Sequence, residues 1–255
     1  MRFLVLKFSH IKVFLVMALV MVLLSVSIDG ASAAEVYFGH NFRKVPIYAV
    51  QTDQKQVAIS FDAAWGADKT QAIMDVLQEY DAGATFFLVG FWVDKYPELV
   101  KKIDESGFEI GTHSDTHPDF TTLSREVMQK ELSLSIERIE NLINKRVELF
   151  RPPFGAYNNT MLDLTEEMNI ASVQWSVDSL DWKGLSPEAI VNRVIGGVKN
   201  GSIILCHNNA DHIVSALPII LDRLKKEGYK VTSVGDLLYK ENYEIDRNGL
   251  QKLKV

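Results

Sequence analysis

From Lys55 onward, short runs of apolar and β-branched residues alternate with longer stretches in which apolar residues recur every three or four positions. The short runs predict strands over 56–63, 84–90, 108–113, 147–152, 171–177, 202–207 and 230–234. The longer stretches predict helices over 68–80, 94–106, 124–144, 159–168, 186–199 and 213–227. In 124–144, Met128, Leu132, Ile136, Ile139 and Ile143 form one apolar stripe. Ser186 followed by Pro187 reads as an N-cap with proline in the first turn.

Strands separated by helices predict a parallel sheet, because parallel neighbours need a crossover connection. An open doubly wound sheet meets the same pattern. The polar residues favour a barrel. Asp62, His113, Arg151, Asp178 and His207 each fall at or just past the C-terminal end of a different strand. In a (β/α) barrel that end carries the active site. The expected fold is therefore α/β, a distorted TIM-like (β/α)7-8 barrel.

The N-terminus changes the picture. Residues 1–12 are basic, Val13 to Leu24 are uninterrupted apolar residues, and Ala31-Ser32-Ala33 follows. This layout predicts a signal peptide over 1–33, or an N-terminal membrane anchor if it is not cleaved. The apolar run is short of the roughly 20 residues a full span needs. The chain is expected on the extracytoplasmic, cell-wall side, touching membrane only through that segment. The rest divides into a lead-in (34–54), one domain (55–240) and a C-terminal tail (241–255). Net charge is −6; residues 1–33 contribute +2 (Arg2, Lys7 and Lys12 against Asp29), leaving −8 for the remainder. With no basic field to neutralise phosphates, nucleic acid is not an expected partner. Cys206 is the only cysteine, which excludes an intrachain disulfide scaffold.

Five segments carry candidate chemistry. His113 and His117 form His-Ser-Asp-Thr-His, a spacing that suits metal ligation on a helix. Here strand-like residues precede the pair, Pro118 follows, and Ser114 stands where a zinc protease has glutamate. The pair belongs to a strand-end loop, and a plain polar loop is its bland reading. Asp62 ends an apolar strand, as a solvated strand-end aspartate also would. Arg151-Pro-Pro-Phe-Gly is a rigid turn that frees backbone N–H groups and offers a guanidinium; a tight βα loop would look the same. Asp178-Ser-Leu-Asp-Trp182 and Leu205-Cys-His207 are weak signals alone.

Taken in order, the segments resemble the polysaccharide deacetylase (NodB-homology) family, carbohydrate esterase family 4. Its motifs read roughly TFDDG, HSxxH, RxPxG, DxxDW and LxH; here they stand as SFDAA, HSDTH, RPPFG, DSLDW and LCH. The resemblance covers 55–240, and the FDxxWG form looks most like the sporulation-type, PdaB-like branch. It implies a barrel of the NodB-homology type that removes N-acetyl groups from cell-wall glycan, peptidoglycan above all. It implies a divalent metal, zinc first, on His113 and His117. It implies Asp62 as base oriented by Arg151, His207 as acid tuned by Asp178, and Phe154 N–H at the oxyanion. Trp182 and Leu205 match walls of the sugar groove.

One position departs from the family. Its second motif-one aspartate, a metal ligand, is Ala63 here. Asp62, Asp68 or Asp115 could substitute; otherwise metal binds weakly. A weak or inactive glycan-binding member and an O-acetyl esterase are the alternatives. No Gly-x-Ser-x-Gly is present, which disfavours a serine hydrolase.

Overall fold

The computed structural model describes residues 12, 14–17 and 43–254. The segment 1–33 thus lies almost wholly outside the described residues; Lys12 and Phe14–Met17 are helical. Among the described residues no helix is long and apolar enough to cross a membrane. A separate compact unit begins at Lys44.

That unit is built around β2 (Gln56–Ala63), buried from Val57 to its end. Its neighbours are β3 (Thr85–Leu88), β8 (Ile203–His207) and, at its start, β9 (Lys230–Thr232), all parallel. The sheet continues through β4 (Glu109–Thr112), β5 (Leu149–Phe150) and β6 (Ala171–Ser172) on one side and ends at β7 (Val177–Asp178) on the other. The sequence-predicted strand 171–177 is split because it changes partners. Val173 N–H donates to Phe150 O, whereas Ser176 N–H donates to Ile203 O. One segment thereby joins both ends of the curled sheet. The result is a distorted (β/α)7 barrel.

Side-chain alternation then sets what faces inward. Ala58, Phe87, Leu149, Val173 and Ile203 share one buried apolar cluster, to which Ile47 also belongs. The same parity brings Asp62, four residues past Ala58, His207, four past Ile203, and Arg151, two past Leu149, to the inner face, with His113 just past the end of β4 beside them. Phe61 and Ala63, of opposite parity, belong to the larger cluster under the helices.

Of the segment read as lead-in, the residues from Lys44 onward join this unit, as does the segment read as tail through Lys254; 34–42 lie outside the described residues. β1 (Ala49–Val50) pairs with β11 (Leu250–Leu253), which pairs with β10 (Tyr243–Ile245). Ile47 N–H donates to Ser172 O and its carbonyl accepts from Gln174, which seals the lower end of the barrel. The stretch read as one helix over 94–106 is two, Gly90–Lys95 and Pro97–Glu105. Pro97 cannot donate to a preceding turn, and Tyr96 leaves helical geometry at φ −130°. Helix Arg125–Ile143 starts at Ser124, whose hydroxyl caps Val127 N–H, and stops at left-handed Asn144.

Candidate active site

Asp62 and His207 are register partners on adjacent strands, so their side chains stand side by side at the upper end of the barrel. Arg151 is fully buried and fixes Asp62. Its Nη1 donates to Asp62 Oδ1 at 2.8 Å, its Nη2 donates to Gln174 O at 3.2 Å, and its guanidinium lies 4.2 Å over the Phe87 ring. Burial alone would raise the Asp62 pKa. The adjacent positive charge, that of Arg151 first, outweighs it and holds the carboxyl below the usual carboxylate value. Asp62 is therefore ionised near neutrality, with Oδ1 committed to Arg151 and Oδ2 left for other work.

His113 Nδ1 lies 2.7 Å from Arg151 O. A carbonyl only accepts, so Nδ1 carries the proton and Nε2 is a bare lone pair. Burial lowers the His113 pKa and keeps the ring neutral. Its Nε2 stands 3.5 Å from Asp62 Oδ2. Two lone-pair atoms at that spacing repel unless something positive lies between them. Two tetrahedral ligands about 2.0–2.2 Å from one zinc are separated by about that much. His117, its ring 4.9 Å from that of His113, is also neutral: burial above all lowers its pKa to about 4.

The loop carrying both histidines is tightly held. Ser114 and His117 are non-glycine residues at φ 73° and 61°. Ser114 Oγ accepts His117 N–H. Glu131, on helix Arg125–Ile143, accepts from Asp115 N–H, Thr116 N–H and the Thr116 hydroxyl at 3.1, 2.8 and 2.7 Å.

The residues fit a divalent cation in part. His113 and His117 offer two neutral imidazoles, and Asp62 Oδ2 faces one of them. Among the described residues no group of three His, Cys, Asp or Glu side chains is assembled to hold a metal. Ala63 is fully buried. The other carboxylates considered do not substitute: Asp115 Oδ1 faces Arg138 Nε at 2.9 Å, and exposed Asp68 pairs with Lys69.

His207 requires a correction. Its partner is Asp181, not Asp178. Asp181 Oδ1 lies 2.7 Å from His207 Nδ1, while Asp178 Oδ1 accepts Leu180 N–H at 2.9 Å. An aspartate opening a tight turn commonly caps that turn, which leaves the second aspartate of Asp-Ser-Leu-Asp to reach the histidine. Burial would lower the His207 pKa; the Asp181 hydrogen bond, with the charges of Asp62, Asp181 and Asp178, outweighs it and raises the pKa above the usual value.

These groups line one cleft of about 800 Å³. Leu205 and Trp182 form part of its wall, as does Asp178. Phe154 is left-handed, at φ 60°, and its ring sits 4.7 Å from that of His117. The hydrogen bonds of its turn run from Gly155 to Pro152 and from Ala156 to Pro153, so Phe154 N–H is not spent on them. Sequence reading missed Asp181, Trp65 and Trp175, which also line the cleft. The second aspartate of motif four and the tryptophan of FDAAWG were the available signals.

Comparison with known proteins agrees with this geometry. The polysaccharide deacetylase family model matches residues 49–173. A peptidoglycan-N-acetylglucosamine deacetylase of Bacillus cereus is 35% identical, over 75% of this chain and 92% of its own length. The uncharacterized protein YlxY of Bacillus subtilis is 34% identical over 76% of this chain, which spans 60% of that relative. Among solved structures, a carbohydrate esterase family 4 pseudoenzyme from Bacillus anthracis superposes with TM-score 0.75 at 31% identity, over 79% of this chain and 71% of that one. A mutant of that pseudoenzyme has restored enzymatic activity.

Proposed function

We propose that this chain, which belongs to the polysaccharide deacetylase family, hydrolyses N-acetyl groups of cell-wall polysaccharide, with peptidoglycan amino sugars as the substrate. The observation that carries this is the juxtaposition of an ionised carboxylate and a proton-holding imidazole, Asp62 and His207, each with its own buried partner.

An amide needs a strong nucleophile and a protonated leaving group. Asp62 accepts the proton of the attacking water at Oδ2, the oxygen Arg151 does not occupy. Water oxygen bonds to the acetyl carbon, and Phe154 N–H donates to the developing oxyanion. His207 then protonates the sugar nitrogen through Nε2 as the C–N bond breaks, giving acetate and a free amino sugar. Asp181 stabilises the imidazolium until that step. Trp182 and Leu205 wall the reacting sugar. A divalent cation, zinc first, held by His113 and His117 would polarise the carbonyl and acidify the water.

A second reading is a catalytically weak or inactive glycan-binding protein. Ala63, the incomplete ligand set and the likeness to a solved family pseudoenzyme favour it. The N-terminal pattern supports an extracytoplasmic place, secreted or tethered. The FDAAWG form supports a sporulation-type branch.

The test is acetate release from peptidoglycan fragments with and without added divalent metal. Metal-dependent release is expected. Binding without release would favour the second reading, and release from O-acetyl substrates alone would make the protein an esterase.

A further inference from the structure

His113 and His117 are held in different ways. The His113 ring donates through Nδ1 to Arg151 O at 2.7 Å, which fixes its orientation. The His117 ring makes no hydrogen bond to another residue among the described residues; this residue is tied down by its backbone N–H, which donates to Ser114 Oγ at 2.9 Å. A histidine that ligates a metal is ordinarily aimed by a hydrogen bond from its second ring nitrogen. At His117 the aim has to come from packing.

Two aromatic rings supply that packing. Trp65 lies 4.9 Å from the His117 ring at 67° between planes, and Phe154 lies 4.7 Å from it at 76°. Both are edge-to-face contacts, a favoured arrangement for aromatic rings. The sheet order produces this bracket. β4 lies between β5 and β3, with β2 beyond. The loop after β4, which carries His117, therefore emerges between the loops that carry Phe154 and Trp65.

Each ring sits on a pinned loop. Gly66, which follows Trp65 at φ +67°, has a carbonyl that accepts from Trp92 Nε1 at 2.7 Å and from fully buried Asn208 Nδ2 at 3.0 Å. Gly155, which follows Phe154 at φ +66°, has a carbonyl that accepts from buried Gln174 Nε2 at 3.1 Å. On both loops the residue after the ring is a left-handed glycine whose carbonyl is tied to a buried side chain. Trp65 and Phe154 are thus fixed, although they are 59% and 71% exposed.

We infer that Trp65 and Phe154 are positioning residues for His117: they hold its imidazole beside that of His113, so that the pair takes up a divalent cation without reorienting. Ala63 supplies no ligand, but the same chain segment, two residues on, supplies a ring that fixes one. This rests on the metal reading of the two histidines, although the bracket itself needs no metal.

The test uses the whole protein, first stripped of metal with chelator and dialysed. Proton–carbon NMR spectra of the histidine rings, assigned with His117→Gln, should show a single set of His117 signals displaced from those of an unpacked histidine. In Trp65→Ala and in Phe154→Ala these signals should move toward the unpacked position or broaden. Calorimetric titration with zinc should find each alanine variant about tenfold weaker than wild type, with Trp65→Phe recovering most of the loss. Thermal unfolding checks the fold. Undisplaced or multiple His117 signals in wild type would overturn the inference, as would wild-type zinc affinity in both alanine variants. A lower melting temperature with His117 signals and zinc affinity unchanged would mark the rings as structural only and overturn it too. Wild type that takes up no zinc, with its His117 signals single and displaced, would remove the metal from the proposed function and leave the bracket standing.

Discussion

Asp181 uses both carboxylate oxygens on His207: Oδ1 lies 2.7 Å from the ring Nδ1, and Oδ2 accepts the backbone N–H at 2.9 Å. The carboxylate is 1% exposed, so this is a buried, charge-assisted pair that sets both the position and the proton affinity of the imidazole. Asp178, three residues earlier, holds the turn that delivers Asp181.

Asp181→Asn should therefore lower kcat by about 10- to 100-fold, since a charged hydrogen bond contributes roughly 1.5–3 kcal/mol. It should also move the alkaline limb of the pH profile to lower pH, because His207 loses the partner that raises its pKa. Asp178→Asn keeps an oxygen for Leu180 N–H and should change both far less. Measurement of kcat/KM against pH for the two variants decides between them.

The same pair predicts a pH-dependent stability. His207 has a folded pKa above its unfolded value. Its contribution is complete below about 6.5 and is lost as pH rises through the folded pKa. Wild type should gain over Asp181→Asn chiefly on the acid side of that window. Urea unfolding at pH 5.5 and pH 9 checks this; an equal difference at both would contradict the linkage.

Glu131 should matter although it touches no substrate. Glu131→Ala strips acceptors from three groups of the histidine loop. It should destabilise the protein by about 1–3 kcal/mol and weaken zinc binding by His113 and His117. Thermal unfolding and zinc titration of metal-free protein test it, with Glu131→Gln expected to fall between the two.

Much of this was legible in the sequence. A short continuous apolar run located β2 at its observed ends because that strand is buried on both faces, and the stripe of 124–144 located its helix because it buries one continuous face. The shortest strands were not legible. β6 and β7 are two residues each, and their pairing depends on which neighbour passes by, not on local pattern. The hairpin at 243–253 was read as a tail because its residues are mostly polar and show no apolar run. In the site, Asp62, His113, Arg151 and His207 converge because each lies at or just past the end of a parallel strand at the same parity, and His117 comes from the loop after β4. Asp181 was missed because the geometry of a left-handed turn at Leu180 decides which aspartate reaches His207.

Ala63→Asp places a carboxylate where the wild-type side chain is fully buried. Without metal it should cost about 1–3 kcal/mol as an unpaired buried group. With zinc the affinity should tighten by about tenfold or more, and stability should return. Unchanged affinity in calorimetry would mean that residue 63 no longer reaches the site.

In the proposed reaction Asp62 removes a proton from water during hydrolysis of an N-acetyl sugar. Asp62→Asn is nearly isosteric and keeps an acceptor for Arg151, so it should fold normally by circular dichroism. The decisive measurement is acetate release from N-acetylated peptidoglycan fragments in excess zinc, wild type beside Asp62→Asn. Steady release by wild type and a fall of at least about 100-fold in the variant are expected. Comparable release by both proteins, or none by wild type while it binds the fragments, would contradict it.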